Sequence, residues 1–306
     1  MKFLGFFFLR FIYIFVSIIP FSLLYLLSDF CAFILQYIIR YRINTVNDNL
    51  KKSFPEKSLE EINIITRRFY KYLCDVSLES IKGYSVNPDR LLKRYQILNP
   101  NVVTQYYDKG HSIIIAMAHY CNWEWGTQIS GSVFKHKLVS LYKPLSNNYA
   151  DKYIRKLRMR RNMELLSIYD SKYIFRSKGN KPLACFFVGD QNPGNVKKAI
   201  WIKFLKQDTA CLNGPEHYAR LFNLPVIYAD IQRVKRGYYT VEMQEICRKP
   251  TETIPGEITE RYMRKLEDII IKKPEDWLWS HRRWKLKRTT FKSIKNDEKR
   301  NWNESR

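Results

Sequence analysis

From Phe3 to Ile39 apolar residues follow one another almost without interruption, broken only by single residues such as Arg10, Pro20 and Asp29. Within this run Phe11 to Leu27 is a clean apolar stretch of about 17 residues, the short end for a bilayer-spanning helix. It lacks a small-residue cleavage site, and apolar character resumes after Asp29, so an anchor is expected rather than a removed signal peptide. Arg40, Arg42, Lys51 and Lys52 follow directly. By the positive-inside tendency they place the rest of the chain in the cytoplasm. A single span and a helix lying in the interface plane both fit this pattern.

Beyond the anchor the spacing of apolar positions changes. Ser58-Leu-Glu-Glu61 is a capping box that opens a helix to about Lys82, with an apolar stripe of Ile62, Ile65, Phe69, Tyr72, Leu73 and Val76. Val102 to Lys109 reads as a helix stopped by Gly110. Ser112 to Ala118 is then an unbroken apolar run after its first residue, the mark of a strand buried on both faces. Lys137–Tyr142, Leu183–Val188, Pro225–Gln232 and Tyr238–Ile246 read as further strands, and Asn148–Arg161, Gly214–Phe222 and Glu257–Lys272 as helices. This alternation predicts an α/β fold: a mixed, largely parallel central sheet flanked by helices, with an N-terminal membrane-anchoring helix. The expected division is an anchor over 1–40, a body over 41–285 and a polar, basic tail over 286–306, too poor in apolar residues to fold.

Two places stand out for chemistry. His119 follows the buried strand directly, and strand carboxyl ends are where open α/β sheets bind ligands. Glu124 lies at the fifth position after it; His111, His136, His217 and His281 have no carboxylate there. A histidine so placed can act as a general base, with a carboxylate to fix its tautomer. Positions five apart meet only if a turn precedes the helix. Asp190, in Gly189-Asp-Gln-Asn-Pro-Gly194, is a second carboxylate at a strand end.

Composition narrows the partners. Lys and Arg total 53 against 29 acidic residues, a formal charge of +24, and 15% of residues are aromatic. Such a field favours anionic partners, and aromatic residues among bases suit a membrane interface or single-stranded nucleic acid; the apolar amino terminus selects the membrane. The six cysteines show neither Cys-x-x-Cys spacing nor grouping with His, so free thiols in a reducing compartment are expected, with no zinc site.

In order, the chain carries the hydrophobic anchor, His119-x-x-x-x-Glu124, Tyr142-Lys143-Pro144, Arg158-Met159-Arg160, Asp190-Gln191 and Trp279-x-His281-Arg282-Arg283-Trp284-Lys285. Over residues 1 to 285 it resembles the late (lauroyl/myristoyl-type) acyltransferases of lipid A biosynthesis, within the lysophospholipid acyltransferase superfamily. The His-x-x-x-x-acid pair is shared across that superfamily; the His-Arg-Arg-Trp-Lys ending is specific to this branch. The resemblance implies transfer of a fatty acyl group from an acyl carrier protein thioester to a hydroxyl of a lipid A precursor, at the cytoplasmic face of the bacterial inner membrane. It assigns His119 as base and Glu124 as its orienting partner, and Arg158 and Asp190 to the active site. Lys143, Arg282 and Arg283 join Arg158 as candidates for the acceptor's phosphates. No metal, cofactor or nucleic acid is implied.

Two departures bear on acyl-chain and acceptor preference: Lys143 stands where the family usually has Arg, and Phe204-Leu-Lys206 where a Phe-Phe-Gly-like segment is common. An acyltransferase for another lipid would carry the same His/Glu pair. A non-catalytic, membrane-tethered protein that binds anionic lipid or nucleic acid would share the charge and the anchor, but leaves His119 and Asp190 at strand ends unexplained.

Overall fold

A computed structural model of the chain describes residues 2–159, 162–175 and 181–288. Arg160 and Arg161 of the basic run, and positions 289–306 of the expected tail, lie outside the described residues.

Helix α1 (Lys2–Ile18) ends before Pro20, and α2 (Phe21–Phe33) begins after it, running on as a π-helical stretch to Ile38. Proline has no amide hydrogen to give and its ring collides with a preceding helical turn, so the apolar run is two helices and not one. Phe21–Ile38 is long and apolar enough to cross a bilayer, with a mean hydropathy of 1.6. Arg40 and Arg42 both adopt left-handed backbone, which turns the chain into α3 (Ile43–Ser53). The capping box forms as read, with Ser58 Oγ accepting from Glu61 N and the Glu61 carboxylate accepting from Ser58 N, and opens α4 (Leu59–Gly83). Helix α5 (Pro88–Leu92), strand β1 (Tyr95–Ile97) and helix α6 (Asn101–Asp108) lead to Gly110, whose φ of +72° makes the sharp entry into β2 (Ile113–Met117).

The alternating part follows: α7 (Trp123–Val133), β3 (Lys137–Tyr142), α8 (Asn148–Met159), β4 (Met163–Ser167) and β5 (Leu183–Val188). A hairpin of β6 (Ile200–Phe204) and β7 (Gln207–Cys211), helix α9 (Gly214–Phe222), the long hairpin β8 (Val226–Lys235) and β9 (Tyr238–Cys247), and α10 (Glu257–Lys272) complete the body. Among the described residues the main sheet has seven strands, in the order β1-β9-β8-β2-β5-β3-β4. All neighbours are parallel except β8 and β9, which form a hairpin. Helices cover the sheet, so β2 is buried along its whole length, as its unbroken apolar sequence requires. The α/β reading therefore holds, with β4, β1 and the β6–β7 hairpin added to the strands read from the sequence.

The Trp-rich carboxyl segment is core. Trp277, Trp279 and Trp284 are 2%, 0% and 8% exposed, and Trp277 meets the other two rings edge-on. Helix α3 clasps this segment: Asn49 donates to the carbonyls of Trp279 and His281, and Arg42 to that of Ser280. Arg42, read as a topogenic charge, is thus also a tertiary contact.

Candidate active site

Strands β2 and β5 are in register with Met117 opposite Val188, so the second residue past each strand, His119 and Asp190, emerges at the same level of the sheet edge. The connection from β2 leads toward β3, and that from β5 toward β8, in opposite directions along the sheet. That is the arrangement that opens a crevice at the carboxyl edge.

His119 Nδ1 lies 2.7 Å from Asp190 Oδ1, and the backbone N–H of His119 donates to Asp190 Oδ2 at 3.1 Å. Trp277 Nε1 donates to the same Oδ2 at 2.9 Å. Asp190 is only 2% exposed. Burial opposes its charge, but attraction to His119 and the bonds from His119 and Trp277 outweigh that and hold its carboxyl at about 2. An ionised carboxylate on Nδ1 puts the neutral imidazole's proton there and leaves the lone pair on Nε2. That atom faces Gln191, whose Nε2 is 3.2 Å away, and the ring packs edge-to-face with Trp123.

The turn that carries His119 is fixed from several sides. Cys121 takes left-handed backbone, and its N–H donates to the carbonyl of Asp276. Tyr72 donates to the Cys121 carbonyl, and Tyr120 to those of Ile269 and Lys273. Asn122 caps α7 by accepting from Trp125 N, while its amide donates to the fully buried Glu79. All six cysteines are free thiols, and burial first and Asp276 second push the Cys121 thiol up, which disfavours the thiolate that a nucleophile needs.

The turn-then-helix path is present, yet Glu124 points elsewhere than expected. Its carboxylate is paired with the Arg158 guanidinium and accepts from Tyr84 at 2.9 Å. Arg158 Nε also donates to the Tyr84 hydroxyl at 3.3 Å. The carboxylate on the histidine is Asp190, placed by the sheet rather than by local spacing. Glu124 instead holds an arginine at the cleft wall.

These groups line a cleft of about 670 Å³. Lys143, Arg158 and Lys285 bring positive charge to it, and Leu141, Met163, Leu165, Phe187 and Tyr218 give it apolar walls. His281 also lines it, and burial lowers this histidine to about 4, so it is neutral at physiological pH. Lys285 and His281 belong to the carboxyl motif, but a motif does not show which of its members face inward. Arg283 is placed otherwise than expected. It is 1% exposed and spends its guanidinium on the carbonyl of Ala210 and the side chains of Asn192 and Cys211. It therefore ties the carboxyl segment to β7 and to the loop that carries Asp190. Arg282 is exposed and contributes its carbonyl, which accepts from Asn192.

Residues 1–286 match the family model described as bacterial lipid A biosynthesis acyltransferase. The chain is similar to the lipid A biosynthesis palmitoleoyltransferase of Escherichia coli (strain K12), with 22% identity over 88% of this chain and 87% of the relative. It is similar at the same level to a lipid A biosynthesis acyltransferase of Shigella flexneri. The lipid A biosynthesis lauroyltransferase of Escherichia coli (strain K12) is 21% identical over the same shares. With a sheet-edge histidine in a basic and apolar cleft, and a family match that spans the apolar amino-terminal helices, the sheet and the carboxyl motif, the chain belongs to the bacterial lipid A biosynthesis acyltransferase family.

Proposed function

We propose that this protein transfers a fatty acyl group from an acyl carrier protein thioester to a hydroxyl of a lipid A precursor, with His119 as general base and Asp190 as the carboxylate that orients it. The observation that carries this reading is the His119–Asp190 pair, with a basic Nε2 turned into the cleft. The acceptor's hydroxyl oxygen attacks the thioester carbonyl carbon while its proton passes to Nε2. Asp190 steadies the imidazolium that forms. As the carbonyl re-forms, the carbon–sulfur bond breaks, and the proton on Nε2 goes to the departing thiolate, giving an ester and the free carrier thiol. A thioester is already an activated donor, so the protein must supply chiefly a base, a position for each reactant and charge for the oxyanion.

Gln191 occupies the place on Nε2 that the acceptor hydroxyl takes over, so its amide swings aside as the acceptor enters. Arg158, aimed by Glu124 and Tyr84, with Lys143 and Lys285, suits the phosphates of such an acceptor. The apolar walls suit the acyl chain, and the +24 charge suits encounter with an acidic carrier. On this reading residues 1–40 anchor, 41–285 catalyse, and the work takes place at the cytoplasmic face of the inner membrane.

The test is transfer by purified full-length protein from acyl carrier thioester to lipid A precursor, with the ester product followed by mass. His119→Ala is expected to fold and to lose about 10³-fold or more in turnover. Near-normal transfer by that variant would remove the base from the mechanism.

A further inference from the structure

Helix α8 carries a face that the cleft does not use. Lys152, Arg155, Lys156 and Met159 lie three, one and three residues apart, which puts them along one side of the helix, and all four are exposed. The opposite side is held down by Ala150 and Leu157, both buried. The carboxylate of α8, Asp151, is turned away from the stripe, accepting from Leu145 N at 2.8 Å and from the Tyr142 hydroxyl at 3.3 Å.

What lies beside the stripe names its partner. Helix α1 packs on α8 through Phe6 against Tyr149 and Tyr153, and through Tyr13 against Tyr153, with ring centroids 5.7–6.3 Å apart. The other side of α1 exposes large apolar residues: Phe8, Phe11 and Ile18 are 67%, 66% and 73% exposed. An apolar ring face bordered by a row of long basic side chains is the pattern of a surface that sits at the headgroup level of an anionic bilayer. An acidic protein would use the charges too, but the exposed apolar face of α1 runs on into a segment, Phe21–Ile38, long and apolar enough to cross a bilayer, which favours lipid over protein. The stripe also reaches the cleft: the Arg155 guanidinium lies 5.6 Å from the ring of Tyr142, a residue of the cleft wall.

We propose that the basic face of α8, formed by Lys152, Arg155 and Lys156, docks on anionic phospholipid headgroups. Together with the exposed face of α1, it seats the protein on the leaflet with the mouth of the His119 cleft beside the lipid surface. A bilayer-borne acceptor then meets the cleft without leaving the membrane. The meeting with the acceptor rests on the proposed function; the docking surface itself does not, so the two stand or fall separately.

The experiment is amine footprinting of the full-length chain. Acetylation rates of Lys152, Lys156 and, as reference, Lys109 at the amino edge of the sheet are read by mass spectrometry. The protein is mixed with vesicles of phosphatidylcholine, with vesicles of phosphatidylcholine and phosphatidylglycerol, or with phosphatidylcholine vesicles plus acyl carrier protein. Lys152 and Lys156 are expected to react about fivefold more slowly with phosphatidylglycerol present, the factor that headgroup attraction of a single lysine represents, with Lys109 unchanged. The protection is expected to fade in high salt. Equal rates in every mixture, or equal slowing of Lys109, would overturn the proposal by showing a merely solvated face or general shielding. Protection by the carrier but not by phosphatidylglycerol would overturn it in favour of a protein partner.

Discussion

Asp190 and Glu124 are both carboxylates near one histidine, and their surroundings give them different work. Asp190 is buried and receives three hydrogen bonds, two from His119 and one from Trp277. Glu124 receives Arg158 and Tyr84. In the sequence only Glu124 looked like the partner, because it is close along the chain; Asp190 is 71 residues away and reaches His119 only through the register of β2 and β5. A strand end marks a place for chemistry, but which strand ends adjoin is a property of the sheet order. Arg283 shows the same limit from the other side. Its charge and its Trp neighbours were legible, its burial was not. Arg283→Met is therefore expected to lower stability by about 1–3 kcal/mol, since the Ala210 carbonyl and Asn192 lose a charged donor. Thermal unfolding measures this. A contact to substrate phosphate would instead leave the melting temperature alone and lower kcat/KM.

Among the elements, α4 joins the parts of the molecule. Its Glu79 is 0% exposed and accepts from Tyr25 of α2, Asn122 at the cap of α7 and Tyr239 of β9. Through Asn122 it sets the first turn of α7, and so the place of Glu124. Burial raises its carboxyl to about 7 despite these donors. A raised carboxylate favours folding most at low pH and loses that contribution as pH rises from about 4.5 through about 7. Glu79→Gln, which stays neutral and can still accept, is expected to keep the fold and flatten that pH slope. Glu79→Ala strands the Asn122 amide and the Tyr239 hydroxyl and is expected to cost about 2–4 kcal/mol. Denaturant unfolding at pH 5 and pH 8 reads both, and a Gln variant with an unchanged slope would contradict the role of the buried charge. Most elements were legible where a local signal sets them: the capping box of α4, the apolar run of β2, Gly110 before it. The β6–β7 hairpin was not, because its two-residue turn uses Leu205 and Lys206 in left-handed backbone, where Gly or Asn normally advertises the turn.

For the whole molecule, the expected boundary between anchor and body is where sequence and structure differ in kind. Apolar residues dominate α1 and α2, yet α2 is bonded to the body along one side. Ser28 donates to Asp75 at 2.6 Å, and Asp29 and Asp75 share Arg236 of the β8–β9 turn. Leu24 and Ser28 are 0% exposed, while Leu26 and Phe30 on the same helix are 66% and 62% exposed. Lys82 donates to the carbonyls of Ser17 and Ile19, the open end left where Pro20 breaks the run. Polar pairs of this kind cannot be inferred from hydropathy, which averages them away. Deleting residues 1–39 is accordingly expected to uncover Asp75 and Glu79 and to reduce folded protein and transfer alike, on detergent-dispersed as well as bilayer-borne acceptor. A truncated protein that is stable and active on dispersed acceptor would show that the anchor is separable.

The central claim is that Asp190, and not Glu124, is the carboxylate that works through His119. Turnover and KM of Asp190→Asn and Glu124→Gln, measured in the acyl transfer assay on folded protein, test it most directly. Asp190→Asn turns the pair of His119 toward the wrong tautomer and is expected to lose about 10³–10⁴-fold in kcat with little change in KM. Glu124→Gln releases Arg158 and is expected to act more on KM for the phosphorylated acceptor, with the smaller loss in kcat. Near wild-type kcat in Asp190→Asn, together with collapse of kcat in Glu124→Gln, would contradict the account and return the histidine to the partner that its sequence spacing suggests.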